Sequence, residues 1–382
     1  MYLLLLSIIY LAFISLGLPD SLLGSSWPTI YTELNVPISY LGIVTMIVSS
    51  STVLSSLFTD RAIAKLGTHK VTAISVLLTS VALFGFSTAK EFYQLCLWGL
   101  PYGLGAGAID AALNNYVALH YNARHMSWLH CFWGVGATIS PCIMSFALVH
   151  SVWYNGYRTV SLIQLVIAIA IILSAPLWKS HAAEHDEVKV EPIGITKAVK
   201  IKGVLPVVTG FLAYCATEST AMLWASSYFE GAFATTKDES AALGSIFFIG
   251  MTSGRFAAGF VTERIGDRKM IRFGAALALC GIIMITLPIK WIAIIGFILL
   301  GLGCAPIYPC IIHSTPARFG QERSQSIIGI QMAFAYLGST IMPPIFGLIA
   351  NHIDIRLMPL YLAFFTIMML IMMQKADKDA PI

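Results

Sequence analysis

Residues 259–270 read GFVTERIGDRKM, a short charged stretch between two long apolar runs. Gly259, with no side chain, lets a neighbouring helix approach the end of the first run closely. Glu263 is followed by Arg264 and Arg268, which puts an acid and several bases within a few residues. A charge cluster of this kind can latch one end of a helical bundle in one conformation and release it in another.

The composition of the whole chain identifies lipid as its solvent. Of the 382 residues, 57% are hydrophobic and 11% are charged, and the mean hydropathy is +0.80. A soluble domain carries about 25% charged residues, so this chain has too few charges to form the surface of a soluble domain.

The seven cysteines lie inside apolar runs without CxxC spacing, which indicates small buried side chains rather than disulfides or a metal site. The first run lacks a basic start and a cleavage pattern, so we expect a retained helix.

The apolar runs divide the chain into twelve predicted membrane spans. A span needs about 20 apolar residues, because a helix rises 1.5 Å per residue through a core about 30 Å thick. The spans cover residues 2–30, 38–59, 69–88, 92–119, 126–149, 157–178, 203–230, 240–261, 270–288, 291–315, 324–350 and 355–374. The charged stretch 179–202 is predicted to be a cytoplasmic linker between six-helix bundles at 1–178 and 203–382.

Basic residues predict which loops face the cytoplasm, since Lys and Arg are retained there. An even number of spans puts both termini on one side, and most of the 23 basic residues fall on that side, Arg255 among them. The opposite side receives Lys90, Arg158, Lys237, Lys290 and Arg356. We therefore expect a multi-pass protein of the cell (inner) membrane with cytoplasmic N- and C-termini.

Two pairs of segments indicate an internal repeat of about 200 residues. GVGATISP at 134–141 is echoed by YLGSTIMP at 336–343, and LGAGAID at 104–110 is echoed by LGCAPIY at 302–308. Parallel repeats of six spans are a known transporter design.

Three acidic residues lie inside predicted spans: Asp20, Asp110 and Glu218. Each costs roughly 2.5–3.5 kcal/mol there, so each marks a functional site or a structural pair. Removal from water favours the neutral carboxyl group, so such an acid can take up a proton and release it when water returns. Pro19 predicts a kink directly before Asp20. We expect proton coupling at Asp20 and Asp110, the alternative being a static bond to an asparagine one turn away.

A solute site combines a few polar groups with aromatic walls. The predicted substrate-binding residues are Asn114, Asn115, His130, Trp133, Glu218, Trp224, Tyr308 and Gln331. Each has a structural alternative, because aromatic residues also form interfacial belts and polar side chains tie membrane helices together.

Residues 259–270 closely resemble the loop signature of the major facilitator superfamily, G-x-x-x-[DE]-R-x-G-x-[RK]-[RK]. The loop after the second span, SLFTDRAIAKLGTHK at 56–70, matches at Asp60 and Arg61, with serine in place of the first glycine and the second glycine four residues late. The resemblance implies an all-α membrane protein with the major facilitator fold, twelve transmembrane helices in two pseudo-symmetric six-helix bundles. It also implies a cytoplasmic gate made of Asp60, Arg61, Gly259, Glu263, Arg264, Gly266 and Arg268.

Three further segments resemble the fucose permease group of sugar–proton symporters: LGLPDS at 16–21, GLGAGAIDAALNNY at 103–116 and SWLHCFWGVGATISP at 127–141. In that group an acid in the first span and another in the fourth are implicated in proton coupling and sugar binding. Asp20 and Asp110 stand at the matching places, although the group usually has Glu in the fourth span.

These features predict a secondary active transporter of a small polar solute, in the first place a monosaccharide, by proton-coupled symport with alternating access. A proton-coupled exporter (antiporter) of drugs or metabolites and a non-transporting membrane sensor or receptor stay open as alternatives. Without a Walker loop, a nucleophile elbow or an HExxH motif, we expect no enzyme, no cofactor and no metal. The expected coupling ion is H+, with Na+ open. The expected partners are the solute and the bilayer, without nucleic acid, around a functional monomer.

Overall fold

The computed structural model describes residues 2–37, 40–178, 193–235, 243 and 246–381, and within these ranges the regular structure is helical. Helices are the expected outcome, because the bilayer core offers no water to backbone N–H and C=O groups and a helix satisfies them internally. Eight helical stretches among the described residues are long and apolar enough to cross a membrane. The prediction of an all-α membrane fold is confirmed.

The helices follow the predicted spans. In the first half they are α1 (Tyr2–Gly17), α2 (Leu22–Glu33), α3 (Leu41–Leu66), α4 (Thr68–Phe86), α5 (Phe92–His120), α6 (Ala123–His150) and α7 (Trp153–Leu173). In the second half they are α8 (Ile195–Ala198), α9 (Val204–Phe233), α10 (Ile246–Ile265), α11 (Asp267–Ile285), α12 (Lys290–Cys304), α13 (Ile307–His313), α14 (Thr315–Phe319), α15 (Gln321–His352) and α16 (Met358–Asp379), with a 3₁₀ turn at Ile355–Leu357. Of the predicted linker, residues 179–192 lie outside the described residues.

Two predicted spans are each formed by a broken pair of helices. The first breaks between α1 and α2, where Asp20 N–H donates to Gly17 O (3.2 Å) in a tight turn. Pro19 lies in this turn, so the predicted kink is confirmed; a proline lacks the N–H that would continue the helix. The tenth span breaks between α12 and α13, at Ala305 and Pro306.

The chain forms two compact units. The first comprises Met1–Tyr116 and Leu129–Pro192, and the second comprises Val117–Trp128 and Ile193–Ile382. The segment 117–128, which lies within the first half of the sequence, is thus part of the second unit.

The core of the first unit is aromatic and aliphatic, with Trp27, Trp153 and Tyr157 almost fully buried. Large apolar side chains also cover its outer surface, for example Phe146 (67% exposed) and Val149 (75% exposed). An apolar outer surface is the arrangement that lipid stabilises, so the exposed faces agree with a membrane environment.

Small residues set how closely α5 and α3 approach each other. A side chain at Gly103 would collide with Val48 O, and one at Gly107 would collide with Thr52 O. The two glycines are four residues apart and therefore share one face of α5, as in the small-xxx-small packing of membrane helices. This contact fixes the position of Asp110, which follows Gly107 by one turn.

The internal repeat predicted from the sequence recurs in the packing. Gly136 on α6 packs against Ile14 O, and Gly338 on α15 packs against Leu212 O. Both contacts join the fifth span of a half to its first span.

A second pair of equivalent positions is found in the backbone. Gly67 has φ 78° and ψ 158°, and Gly266 has φ 83° and ψ 152°. These left-handed values favour glycine and end the helix in the corresponding loop of each half. Although the glycine after Asp60 comes four residues later than in the signature, it makes the same turn.

Candidate solute and proton site

Asp20 lies in the break between α1 and α2, and two side chains donate hydrogen bonds to its carboxylate. Tyr102 OH on α5 donates to Oδ1 (3.0 Å), and Trp133 Nε1 on α6 donates to Oδ2 (2.9 Å). Asp20 nevertheless stays exposed. Donors to both oxygens stabilise the charged form, and the exposed surface lets a proton or a solute hydroxyl reach it.

Asp110 lies on α5 in an enclosed polar network. Asn114 Nδ2, one turn later, donates to Asp110 Oδ1 (2.7 Å) and to Asp110 O (3.0 Å). His130 Nε2 on α6 lies 3.1 Å from Asn114 Oδ1, within hydrogen-bond distance. All three residues are at least 94% buried, as is Asn115. Asp110 is thus bonded to an asparagine one turn away, the arrangement anticipated as the structural alternative, but the network also reaches α6.

Helix α6 connects the two acids. Trp133 contacts Asp20. One turn earlier on the same helix, His130 contacts Asn114, the residue that bonds Asp110. Residues three apart project from the same face of a helix. On α5, Tyr102 precedes Asp110 by eight residues, about 12 Å along the axis at 1.5 Å per residue. The first unit therefore brings together five of the predicted proton-coupling and substrate residues: Asp20, Asp110, Asn114, His130 and Trp133.

Glu218 has a different environment, in the second unit. Its carboxylate Oε1 accepts a hydrogen bond from Arg255 NH2 at 3.0 Å, and the two side chains are 12% and 7% exposed. The assignment of Arg255 to the cytoplasmic face is therefore wrong, because Arg255 lies midway along α10 and is paired there. A buried charge persists in a membrane helix when an opposite charge compensates it.

The other predicted substrate residues of the second unit each contact a residue of another helix. Tyr308 packs edge-on against Phe211, with ring centroids 4.6 Å apart. Trp224 Nε1 donates to Pro343 O (3.0 Å), and Gln331 Oε1 accepts from Thr315 (3.0 Å). These contacts hold helices together, and a substrate-binding role for these residues stays a prediction.

The signature stretch lies at the end of α10 against the segment 117–128. Arg124 NH2 pairs with Glu263 Oε2 at 3.0 Å, and Arg124 Nε donates to Gly259 O at 3.2 Å. A side chain on Gly259 would collide with the indole of Trp128. The glycine therefore does permit close packing, and the acid of the signature is paired with an arginine from outside the signature.

The remaining gate residues take several positions. Arg268 Nε pairs with Asp377 Oδ2 at 2.7 Å on the last helix, and Gly266 makes the turn between α10 and α11. In the other loop, Asp60 is buried and its Oδ1 accepts from the N–H of Arg61 (2.7 Å). Arg264 is exposed. A gating role for these residues remains a prediction.

Four residues that pair with the predicted site residues were not themselves predicted from the sequence. Tyr102, Arg255, Arg124 and Asp377 all pair with predicted residues, yet each lies in a different element of the fold from its partner. An arginine midway along an apolar run was the one available signal, since such a charge needs a nearby counterion. Among the described residues, no group of three or more His, Cys, Asp or Glu side chains could hold a metal ion.

Two related sets of six predicted spans, with acids buried among the helices, place the chain in the transporter class of helical membrane proteins. The family model of the Major Facilitator Superfamily matches residues 9–224 and 206–380. The chain belongs to this superfamily, which confirms the resemblance of the signature stretch.

Individual proteins are similar to this chain over most of its length. The glucose/mannose transporter GlcP of Bacillus subtilis is 22% identical over 363 residues, which cover 91% of this chain and 88% of GlcP. Bypass of stop codon protein 6 of Saccharomyces cerevisiae is 22% identical over 389 residues, covering 91% of this chain and 77% of that protein. The crystal structure of the transporter FucP in the outward conformation is similar, with a TM-score of 0.81, 14% identity and coverage of 98% and 99%. A second similar structure is that of a variant of FucP, the E. coli fucose:proton symporter.

Proposed function

We propose that this protein is a proton-coupled symporter of a monosaccharide that works by alternating access. The observation that carries the proposal is the shared face of α6, where Trp133 holds the exposed Asp20 and His130 holds the network of the buried Asp110. The sugar transporters among the similar proteins support the class of solute.

The two acids would act in sequence. Asp20 is exposed and takes the proton, because only an accessible carboxylate exchanges protons with water. Solute hydroxyls then compete for the amide and imidazole groups around Asp110, which are the donor and acceptor types that sugar hydroxyls need. Neutralised and shielded carboxylates lower the cost of enclosing the loaded site in a low-dielectric interior.

The remaining features of the proposal follow from the sequence. We propose a monomer in the cell (inner) membrane, with cytoplasmic termini and no cofactor. The gradient of H+ supplies the energy, and the chain itself carries out no covalent chemistry.

The deciding experiment uses purified protein in liposomes and a panel of monosaccharides. We expect a proton gradient, inside alkaline, to drive uptake of at least one sugar, and a sodium gradient alone to drive none. Asp20→Asn and Asp110→Asn abolish this uptake, while Glu91→Gln, an exposed acid outside the site, leaves it unchanged. Asp20→Asn retains sugar counterflow, because exchange requires no net proton transfer.

Three outcomes would contradict the proposal. Uptake driven by sodium alone would exclude the proton as coupling ion. Proton-driven uptake that survives in the double variant would exclude the two acids. If none of the sugars in the panel supports counterflow, a monosaccharide is excluded as the solute.

A further inference from the structure

His313, the last residue of α13, forms a close pair with Asp267. Its Nδ1 lies 2.6 Å from Asp267 Oδ2, and the two side chains are 22% and 13% exposed, so water can reach the pair. Asp267 is the first residue of α11, and it stands in the signature stretch at a position that the signature leaves open. When the ring is protonated, this contact is a charge-assisted hydrogen bond.

The same ring also contacts the segment 117–128. It forms a hydrogen bond with the main-chain carbonyl of Tyr121, which lies between α5 and α6. Two acceptors from different parts of the chain thus face one imidazole. A neutral imidazole carries one N–H and an imidazolium carries two. Only the protonated ring therefore donates to Asp267 and to Tyr121 at the same time.

The position of the segment 117–128 in the chain gives this contact its importance. The segment belongs to the second unit, whereas the remainder of α5 and α6 belongs to the first. A movement of the first unit against the second, such as the alternating access proposed above, must therefore strain or release the contacts of the segment. Two of these contacts, Arg124 with Glu263 and Trp128 with Gly259, contain no imidazole. The contact with His313 adds the side chain that changes charge near neutral pH.

We propose that His313 is a proton-dependent latch, which holds the segment 117–128 on the second unit when the ring is protonated and loosens it when the ring is neutral. The held form binds one proton more than the loosened form, so acid favours the held form and a rise in pH favours the loosened form. α13 ends on the side that the basic residues predict to be cytoplasmic. One consequence rests on the proposed function: protons delivered to the cytoplasm by symport would close the latch and slow further transport.

The charged groups on the elements that pack against α13 have partners of their own or are exposed. These elements are α9, α11, α12 and α14. Apart from Asp267, their charged residues are Glu218, paired with Arg255; Arg268, Arg272 and Arg318, paired with Asp377; Lys290, beside the ring of Trp291; and the exposed Glu230 and Lys269. Asp267 is therefore the charge that acts on the ring of His313.

Further titratable groups lie close to the latch. The buried thiol of Cys310, one turn before His313, also faces Asp267. In the segment itself, His120 ends α5, and the ring of His125 packs edge-on against Tyr121, with centroids 5.7 Å apart. These two imidazoles are the groups that an experiment must separate from His313.

The test measures amide hydrogen exchange in residues 117–128 of the full-length protein in detergent, at about pH 6 and about pH 8, corrected for the intrinsic pH dependence of exchange. No solute is added, so the result does not depend on transport. We expect protection of these amides to fall about tenfold or more between the two pH values, since one linked proton changes an equilibrium by up to about tenfold per pH unit. The fall should be absent in His313→Gln and present in the matched controls His120→Gln and His125→Gln.

A second variant covers the case in which His313→Gln fails to fold. Asp267→Asn keeps the ring and removes the charge that it pairs with, so protection should differ by less than about twofold between the two pH values. Equal protection at both pH values in the wild type would overturn the proposal. So would a pH dependence that survives in His313→Gln and Asp267→Asn, or one that disappears in His125→Gln. A wild type that shows the expected pH dependence but transports no sugar would support the latch and overturn the proposed function alone.

Discussion

Asp20 and Asp110 differ in what can reach them. Asp20 is exposed and has one donor on each oxygen, whereas Asp110 is 5% exposed and bonded to its own helix neighbour Asn114. A group that exchanges protons needs access to water, and a group that senses a solute can be enclosed until the solute arrives. At this scale the two acids are therefore not interchangeable.

Trp133→Phe removes one donor from Asp20 while keeping an aromatic ring in place. The charged carboxylate loses a charge-assisted hydrogen bond, worth about 1.5–3 kcal/mol. We expect proton-driven uptake in liposomes to fall about tenfold. Trp291→Phe, at a 71% exposed position, is the control and should leave uptake unchanged. Equal uptake in the two variants would remove Trp133 from the site.

Glu218→Gln leaves Arg255 charged and buried without its carboxylate. Loss of one partner of a buried ion pair costs about 3–5 kcal/mol, so we expect a markedly lower Tm in detergent. Glu218→Gln/Arg255→Met removes both charges and should recover much of the loss. Glu230→Gln, at an exposed position on the same helix, is the control. A double variant less stable than Glu218→Gln would contradict a compensating pair.

The acids inside the predicted spans could be recognised from the sequence, but their partners could not. Asp20, Asp110 and Glu218 stand out because charge is rare in apolar spans. Arg255 bonds Glu218 from 37 positions away, and Tyr102 bonds Asp20 from 82 positions away. Such pairs depend on which helix faces meet, and helix periodicity alone does not specify that.

At the scale of the helix, glycine determines how closely two elements approach. Gly103 and Gly107 bring α5 against α3, and Gly259 brings α10 against Trp128. Membrane helices gain little from apolar contact with each other, since lipid is equally apolar, so close packing of this kind supplies much of their association.

Gly259→Ala places a methyl group against the indole of Trp128. Overpacking of this kind costs about 1–3 kcal/mol, and we expect a lower Tm together with slower transport. Gly134→Ala is the control, because a methyl group there meets nothing within 4 Å. Gly259→Ala/Trp128→Leu provides space and should lose less than the sum of the two single changes. Strict additivity would argue that the two residues do not touch.

Helices and one of their breaks were predictable, whereas other prolines behaved differently. Pro19 ends α1 as expected, yet Pro101 and Pro141 lie inside α5 and α6 without ending them. Neighbouring helices and polar side chains can satisfy the carbonyls that a proline frees within a membrane helix. Whether a proline breaks a span is thus decided by packing around it.

For the whole molecule, the distribution of basic residues fixes the predicted orientation. We introduce Lys90→Cys or Lys378→Cys into a chain without its seven native cysteines. A membrane-impermeant maleimide should label Lys90→Cys in intact cells, and label Lys378→Cys only after permeabilisation. Labelling of both in intact cells, or the reverse pattern, would overturn the topology.

The overall architecture was the most predictable level, because span length follows bilayer thickness and the repeat follows a constant spacing. The division into two compact units was harder to predict from the sequence. The segment 117–128 joins the second unit through Arg124, whose guanidinium meets Glu263 and Gly259. No pattern within 117–128 identifies that partner.

This segment has a consequence for any attempt to build the protein from pieces. A chain cut within the linker yields two polypeptides, and the second lacks the residues 117–128 that pack with its own unit. When the halves are expressed separately, the N-terminal polypeptide therefore has to supply Arg124 and Trp128 to the unit formed by the C-terminal polypeptide. Functional complementation between fragments would then be governed by one short stretch of chain.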